Sequence, residues 1–273
     1  MSPERSIPFP VAFALIVVTL VYLWGWYRMG KALPNLISGW RLAAFIGGMF
    51  LVWTAVGSPL ATLDHHLLTA HMAQHLLLMT VAAPLILLGA PAITLLHGLP
   101  QTLVYDAVRP LARSRFLHWL GGIVTHPVFC WLVSTSVVIG WHIPALFEQG
   151  MHSSGRHAVE HASFLAAGLL FWWPVIQPWP SIAEWPRWRI PLYLFLATLP
   201  CDALSAFLTF CNRVVYPHYL SANRAFLVSA LADQECAGAL MWVCVTFAYL
   251  IPAVAVTIQM LSQEKRTSQV EAI

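Results

Sequence analysis

Charge is what this chain of 273 residues has least of, since Asp, Glu, Lys and Arg together make up only 9% of it. Hydrophobic residues make up 59%, and the mean hydropathy is +0.72. A soluble domain of this size could not cover its surface with so few polar side chains, so that class is excluded. The formal net charge of +3 is small and does not indicate a nucleic-acid partner.

Other features are missing as well. The sequence has no internal repeat and no second soluble domain, and its five cysteines form no C-x-x-C motif. Cys211 and Cys236 fall near the same predicted membrane face, where they could pair as a disulfide or bind a metal, and both alternatives stay open. We expect Cys130, Cys201 and Cys244 to be small buried hydrophobic residues.

Apolar stretches of about 20 residues are long enough to cross the hydrocarbon core of a membrane. They predict an all-α, polytopic membrane bundle of about seven helices, and the 13 Trp residues fit aromatic belts at the membrane surfaces. The first stretch lacks a small-residue cleavage site, so we interpret it as a retained span. The predicted spans are Phe9–Tyr27, Leu42–Pro59, Leu67–Leu88, Pro127–Phe147, Val159–Ile176, Ile190–Phe210 and Asp233–Met260.

Basic residues are distributed unevenly between the two faces of this bundle. Those on the richer face, ten of the 14, are Arg28, Lys31, Arg41, Arg109, Arg113, Arg115, Arg187, Arg189, Lys265 and Arg266. The positive-inside rule therefore predicts an outer amino terminus and a cytoplasmic carboxyl terminus. We expect one transmembrane domain over residues 1–261, with an amphipathic cytoplasmic helix lying on the membrane near residues 97–119, and a disordered cytoplasmic tail over residues 262–273.

Two histidine pairs carry most of the functional information. His71 and His75 lie in the third predicted span, and His157 and His161 lie at the start of the fifth. A spacing of four residues places both rings of a pair on one face of a helix, one turn apart, as a shared metal ion requires. Ionisable groups are costly to bury in a membrane span, which favours a functional role. We expect these four residues to bind a metal in the outer half of the membrane.

Three more residues extend this candidate site. Asp64 precedes His71 and His75 by seven and eleven residues, so we expect it on the same helical face. Asp233 opens the seventh span, and we expect both carboxylates to orient imidazoles, although capping of their own helices explains them equally well. His142 is either a further ligand or a hydrogen-bonded contact between helices. Further histidines near this face, expected to be interfacial or loop residues, are His65, His66, His152 and His218.

The ligand types indicate which metal to expect. Imidazole suits zinc, copper, iron and nickel, whereas thioether ligands favour Cu(I). Met72 and Met79 flank the first histidine pair. We expect copper, as Cu(I), rather than zinc, although the methionines by themselves favour Cu(I) only weakly.

The sequence resembles the CtaG-type cytochrome c oxidase assembly factors. The similar blocks, in the family's order, are His71–Pro91, Trp141–Pro144, His157–Trp172 and Asp233–Trp242. One departure is Phe147, where the family pattern has tyrosine. The resemblance implies a multi-pass protein of the bacterial inner membrane that is not an enzyme. It also implies a role in maturing a haem–copper oxidase, with copper delivered to subunit I during a transient contact and supplied by a periplasmic donor.

The residues themselves add an argument for this role. The copper of the oxidase centre is bound by histidines within the membrane, toward its outer side. A copper donor needs exchangeable imidazoles at a similar depth, and His71, His75, His157 and His161 would supply them.

Two other functions remain open. The sequence His157-Ala-Val-Glu160-His161 fits the H-x-x-E-H motif of inverted zinc peptidases, which would make the protein an intramembrane metalloprotease. A haem-binding electron carrier is the second alternative, because histidines from two spans can ligate one iron. Axial haem ligation needs one histidine on each of two facing helices, whereas this chain has two per helix.

Overall fold

The computed structural model describes residues 9–32, 38–58, 60–178, 186–221 and 228–271. Across these residues the fold is helical and contains no strand, as predicted. The helices are α1 (Phe9–Ala32), α2 (Gly39–Gly57), α3 (Leu60–Leu63), α4 (Leu68–Leu76), α5 (Ala83–Leu88), α6 (Pro91–Gly98), α7 (Gln101–Leu103), α8 (Arg109–Arg113), α9 (Arg115–Val124), α10 (Pro127–His142), α11 (Pro144–Met151), α12 (Ser154–Ile176), α13 (Arg189–Phe210), α14 (His218–Ser221) and α15 (Ala230–Glu271). Wider, π-helical turns occupy Leu77–Ala82 and Val104–Val108.

Six helical segments in the described part of the chain are long and apolar enough to cross a membrane. A seventh is added if α9 and α10, which meet at a bend of 61°, count as one span. The prediction of a membrane bundle of about seven helices is therefore confirmed, while its orientation stays a prediction. The six segments are Pro10–Gly30, Gly39–Leu63, Leu68–Leu88, Ser154–Ile176, Arg189–Phe210 and Ala230–Ser262.

The fourth predicted span ends earlier than the sequence suggested. Helix α10 stops at His142, because Ile143 is extended (φ −67°, ψ 121°) before Pro144. A residue that precedes proline is disfavoured in the helical region, and proline itself suits the first turn of a new helix. Pro144 accordingly begins α11, so Phe147 lies in a separate short helix.

The segment near residues 97–119 is not one helix. Leu99 (ψ 154°) and Ser114 (ψ 123°) are extended and divide it into three helical pieces. Its larger apolar side chains are exposed, among them Leu103, Phe116 and Trp119. An exposed apolar surface of this kind is what the predicted position on the membrane requires.

The final helix reaches further than expected. The backbone is helical to Glu271, where the sequence predicted a disordered tail from residue 262 onward. This segment contains Gln, Glu, Lys and Arg, which are good helix formers, so the helix continues beyond its apolar part. The division into one transmembrane domain and a tail stays a prediction.

The centre of the bundle is the crossing of α12 with the π-helical turn after α4. A Cβ atom added to Gly168 would lie 2.9 Å from the Ala83 Cβ and from the Met79 Cα and carbonyl oxygen, so only glycine permits this close approach. In the turn, the Ala83 N–H donates to the Leu78 carbonyl, which leaves the Met79 carbonyl without its usual partner in the helix. The Trp172 Nε1–H donates to that carbonyl at 3.0 Å. The crossing therefore fixes the position of α4 against α12.

Candidate metal centre

Helix α4, which carries the first histidine pair, is held at its start by a residue from the last helix. The Asp233 carboxylate accepts hydrogen bonds from the backbone N–H groups of Leu68, at 2.6 Å, and Thr69, at 3.1 Å. The first N–H groups of a helix have no partner within it and attract negative charge. We expected Asp233 either to orient an imidazole or to cap its own helix, and the structure shows its carboxylate bonded to the backbone that begins α4.

The two predicted histidine pairs form one buried cluster. Within each pair the ring centroids are 4.3 Å apart. Between the helices, the His71 and His157 rings stack at 5.5 Å with an interplanar angle of 13°, and His75 lies 5.6 Å from His161. None of the four residues is more than 8% exposed. The spacing of four residues therefore brought the rings together, as the sequence predicted.

Two carboxylates enter the same cluster. The Glu160 Oε1 atom lies 3.3 Å from His71 Nε2 and 3.4 Å from His75 Nε2. On the other side, Asp64 Oδ2 lies 3.4 Å from His157 Nε2. Both carboxylates are 1% exposed. A buried carboxylate needs hydrogen-bonding or charged partners. The imidazoles supply these partners, with either a proton or a metal ion between each imidazole nitrogen and carboxylate oxygen.

These groups could hold a metal ion. Ligand atoms from Asp64, His71 and His157 lie within 4.8 Å of one another, and so do those from His71, His75 and Glu160. Two ligands bound tetrahedrally to an ion at about 2.0–2.1 Å are separated by about 3.3–3.4 Å, and the three histidine–carboxylate distances of 3.3–3.4 Å fall in that range. The two triads share His71, so they form one continuous set of nitrogen and oxygen ligands.

Asp64 reaches the cluster by a route that the sequence did not predict. It was expected on the same helical face as His71, but Leu67 is extended (φ −134°, ψ 122°) and separates it from α4. The hydroxyl of Tyr219 donates to the Asp64 carbonyl at 2.8 Å and holds this turn in place. Burial raises the pKa of the Tyr219 phenol, and the nearby Asp64 carboxylate raises it further. The hydroxyl therefore remains a hydrogen-bond donor.

His161 and His142 are buried near the triads but are not part of them. The side chain of Gln74 donates to the Ala55 carbonyl at 2.7 Å and presents its oxygen to His161 Nε2 at 3.4 Å. His142 Nδ1 lies 2.7 Å from the Val138 carbonyl oxygen, while its Nε2 has no hydrogen-bond partner among the described residues. His142 also lines a cavity beside the first histidine pair, which keeps it a candidate ligand.

More histidines connect the cluster to the surface. The His65 ring lies 5.6 Å from His157 and 6.0 Å from His218, which is 6.4 Å from His152. Side-chain exposure rises from 0% at His71 to 11% at His157 and 22% at His65, and His152 is exposed. We call His65, His218 and His152 the histidine row. From the sequence, these three residues were expected to be interfacial or loop residues with no shared role.

Glu160 is the main functional candidate that the predicted site residues did not include. Its offset of three residues from His157 places it on the same face of α12, and that spacing was a usable signal. For Gln74, one residue before His75, no spacing in the sequence indicated that its side chain would contact the cluster. Cys211 and Cys236, for which a disulfide or metal binding was left open, are both free thiols in this structure.

Comparison with known proteins supports the family that the motifs suggested. The chain is 25% identical over 270 residues to uncharacterised proteins of Mycobacterium bovis and Mycobacterium tuberculosis, with 96% of this chain and 40% of each relative aligned. A Mycobacterium leprae relative is 27% identical over 266 residues, with 93% of this chain and 39% of the relative aligned. The chain thus spans about two fifths of the length of these curated relatives.

No solved structure matches the chain. The model of the cytochrome c oxidase caa3 assembly factor family, Caa3_CtaG, matches residues 20–263. This range contains both histidine pairs, both clustered carboxylates and the histidine row. The chain is therefore a membrane protein that belongs to the cytochrome c oxidase caa3 assembly factor family.

Proposed function

We propose that this assembly factor binds copper at the buried cluster of histidines and carboxylates and delivers it to a haem–copper oxidase. The observation that carries the proposal is the pair of triads that share His71. His75 and Glu160 complete one triad, and Asp64 and His157 complete the other. In this role copper is cargo, which the protein acquires and releases.

The ligand set is suited to a divalent or monovalent copper ion. Neutral imidazoles supply strong nitrogen ligands, and the two carboxylates offset the charge of an ion in a site almost without water contact. Zinc would also accept these ligands, so the nitrogen and oxygen atoms alone do not select copper. The family's role in oxidase assembly favours copper, because the oxidase centre contains that metal.

A cargo site needs a route to its surroundings, and the histidine row supplies a candidate. Each step between neighbouring rings from His71 to the exposed His152 is 6.4 Å or less. An ion can move along such a series by exchanging one imidazole ligand for the next, without entering the apolar membrane as a bare charge. We propose that copper enters from a periplasmic donor by this route.

The positive-inside rule places the cluster in the outer half of the bacterial inner membrane. In that position it lies at about the depth at which the oxidase subunit I binds its own copper. A transient contact between the two membrane proteins could then transfer the ion without passage through the aqueous phase.

The two alternative functions are less compatible with this geometry. In an H-x-x-E-H peptidase the glutamate acts on water, whereas Glu160 lies against the Nε2 atoms of His71 and His75. A haem protein with two axial histidines needs one from each of two facing helices, whereas here each helix contributes two histidines a turn apart. We therefore propose a role in binding and transfer, without catalysis.

Metal analysis of the purified protein tests the proposal. The protein in detergent would be loaded anaerobically with Cu(I), desalted and analysed for bound copper, beside His71→Ala/His75→Ala and a control pair, His97→Ala/His118→Ala. His97 and His118 are exposed and lie outside the cluster. We expect copper to be retained by the wild type and the control and lost from the cluster variant. Equal copper in all three proteins, or none in the wild type, would contradict the proposal.

A further inference from the structure

A small cavity lies beside the histidine cluster, and several of the residues that line it contain sulfur. Its volume is about 30 Å³, enough for a single water-sized atom. Four sulfur-containing residues and two histidines contribute to its lining, and they come from α4 and the turn that follows it, α10, α13 and α15. These residues are Met72, Met79, Met241, Cys201, His75 and His142.

The two histidines each have an uncommitted nitrogen. A carbonyl oxygen can only accept, so His142 Nδ1, 2.7 Å from the Val138 carbonyl, carries the proton. His142 Nε2 then holds a lone pair, is buried and has no hydrogen-bond partner in the part of the chain that the structure describes. An imidazole that donates one N–H to a backbone carbonyl while its other nitrogen is unprotonated is the usual arrangement of a metal ligand. His75 Nε2 faces Glu160 Oε1 at 3.4 Å, and its Nδ1 has no hydrogen-bond partner among the described residues.

Packing alone does not explain why these sulfur-containing residues surround an open gap. Methionine commonly fills irregular gaps in a core, yet here Met72, Met79 and Met241 line a gap that stays open. All three are buried, with 1%, 6% and 4% exposure. Apart from the imidazole nitrogens, the mostly apolar lining offers a water molecule few hydrogen-bond partners. A soft cation has suitable partners there, because thioether groups bind Cu(I) in preference to zinc or Cu(II).

We propose that this cavity is a second, softer copper position that takes Cu(I) through methionine sulfur and His142 Nε2, next to the nitrogen and oxygen triads. The inference rests on the proposed function, because it assigns a second position to the same cargo. His75 belongs both to a triad and to the cavity lining, so an ion can pass between the two positions with His75 as a common ligand. The sulfur position supplies the selectivity for Cu(I) that the triads lack.

X-ray absorption spectroscopy of selenomethionine-labelled protein tests this assignment. The labelled protein would be loaded anaerobically with Cu(I), and the copper edge examined for scattering from selenium. We expect a copper–selenium shell in the wild type and its loss in Met72→Leu/Met79→Leu/Met241→Leu. Leucine keeps nearly the same volume and hydrophobicity as methionine. Met49→Leu, in α2 and outside the cavity lining, is the matched control and should retain the shell.

The possible outcomes separate this inference from the proposed function. Bound copper with nitrogen and oxygen neighbours but no selenium would overturn the sulfur position and leave the triads as the copper site. A wild type that binds no copper would contradict the proposed function itself. If the triple variant does not fold, Met241→Leu and His142→Ala would be examined singly, and an unchanged selenium and nitrogen shell in both would also overturn the assignment.

Discussion

Replacement of Glu160 by glutamine is the sharpest test of the triad geometry. Glutamine keeps the size and shape of the side chain but removes its charge. An ion held by the Nε2 atoms of His71 and His75 would be about 2.0 Å from each nitrogen, and Glu160 Oε1 lies 3.3 and 3.4 Å from those nitrogens. The carboxylate is therefore close to any ion bound there.

The expected effect follows from electrostatics. An ion in the triad would be nearer to the carboxylate than about 4 Å, and even at that separation, with an effective dielectric constant of about 20, two unit charges interact by about 4 kcal/mol. Each 1.4 kcal/mol corresponds to about a tenfold change in the binding constant. We therefore expect Glu160→Gln to weaken copper binding by about a hundredfold to a thousandfold, with the histidine ligands still present.

Competition with a colorimetric Cu(I) chelator in detergent measures this change directly. The matched control is Glu235→Gln, because Glu235 is acidic but exposed on α15, and it should leave the dissociation constant within about threefold of the wild type. An equally small change in Glu160→Gln would refute the reasoning, since it would mean that the carboxylate does not face the ion.

Three further predictions concern the scaffold and the route to the cluster. Asp233→Ala leaves two helix-start N–H groups unpaired and should destabilise the protein by about 2–4 kcal/mol, with a smaller loss for Asp233→Asn, measured as thermal unfolding in detergent. Gly168→Ala places a Cβ against the Met79 backbone and should cost about 1–3 kcal/mol in the same assay. His65→Ala/His218→Ala interrupts the histidine row and should slow copper uptake in stopped-flow measurements, with the final copper content unchanged.

Each of these predictions has a contrary result. An Asp233→Ala protein as stable as the wild type would show that the cap is not needed for α4. Unchanged unfolding of Gly168→Ala would mean that the α12 crossing can relax at no cost. Uptake at the wild-type rate after loss of both row histidines would exclude the row as the route of entry.

Sequence periodicity predicted the parts of this site that depend on one helix. The spacing of four residues was enough to place His71 beside His75 and His157 beside His161. Apolar length was enough to identify the membrane bundle, because burial in lipid demands about 20 apolar residues per helix. Both properties depend only on neighbouring residues, so they can be recognised from one sequence.

The remaining features depend on contacts between distant segments. Asp233 bonds a helix start 165 residues earlier in the chain, and nothing in its neighbourhood indicates that partner. Asp64 joins the cluster although the helical periodicity used to place it is broken at Leu67. Residues such as Cys201 and Met241 look like ordinary core residues along their own helices, and only the packing of four segments brings them around one cavity.

The bond between Asp233 and the start of α4 has a consequence for biosynthesis. While the ribosome is still making the middle of the protein, His71 and His75 are already present, but the carboxylate that fixes their helix is not. The cluster also lacks Glu160 and His157 until α12 has entered the bilayer. Under the copper-transfer function proposed above, a nascent chain cannot hold copper in the finished geometry, because the cluster is fixed in place only after the last helix is inserted. On that proposal, the order of helix insertion delays metal capture until synthesis is nearly complete.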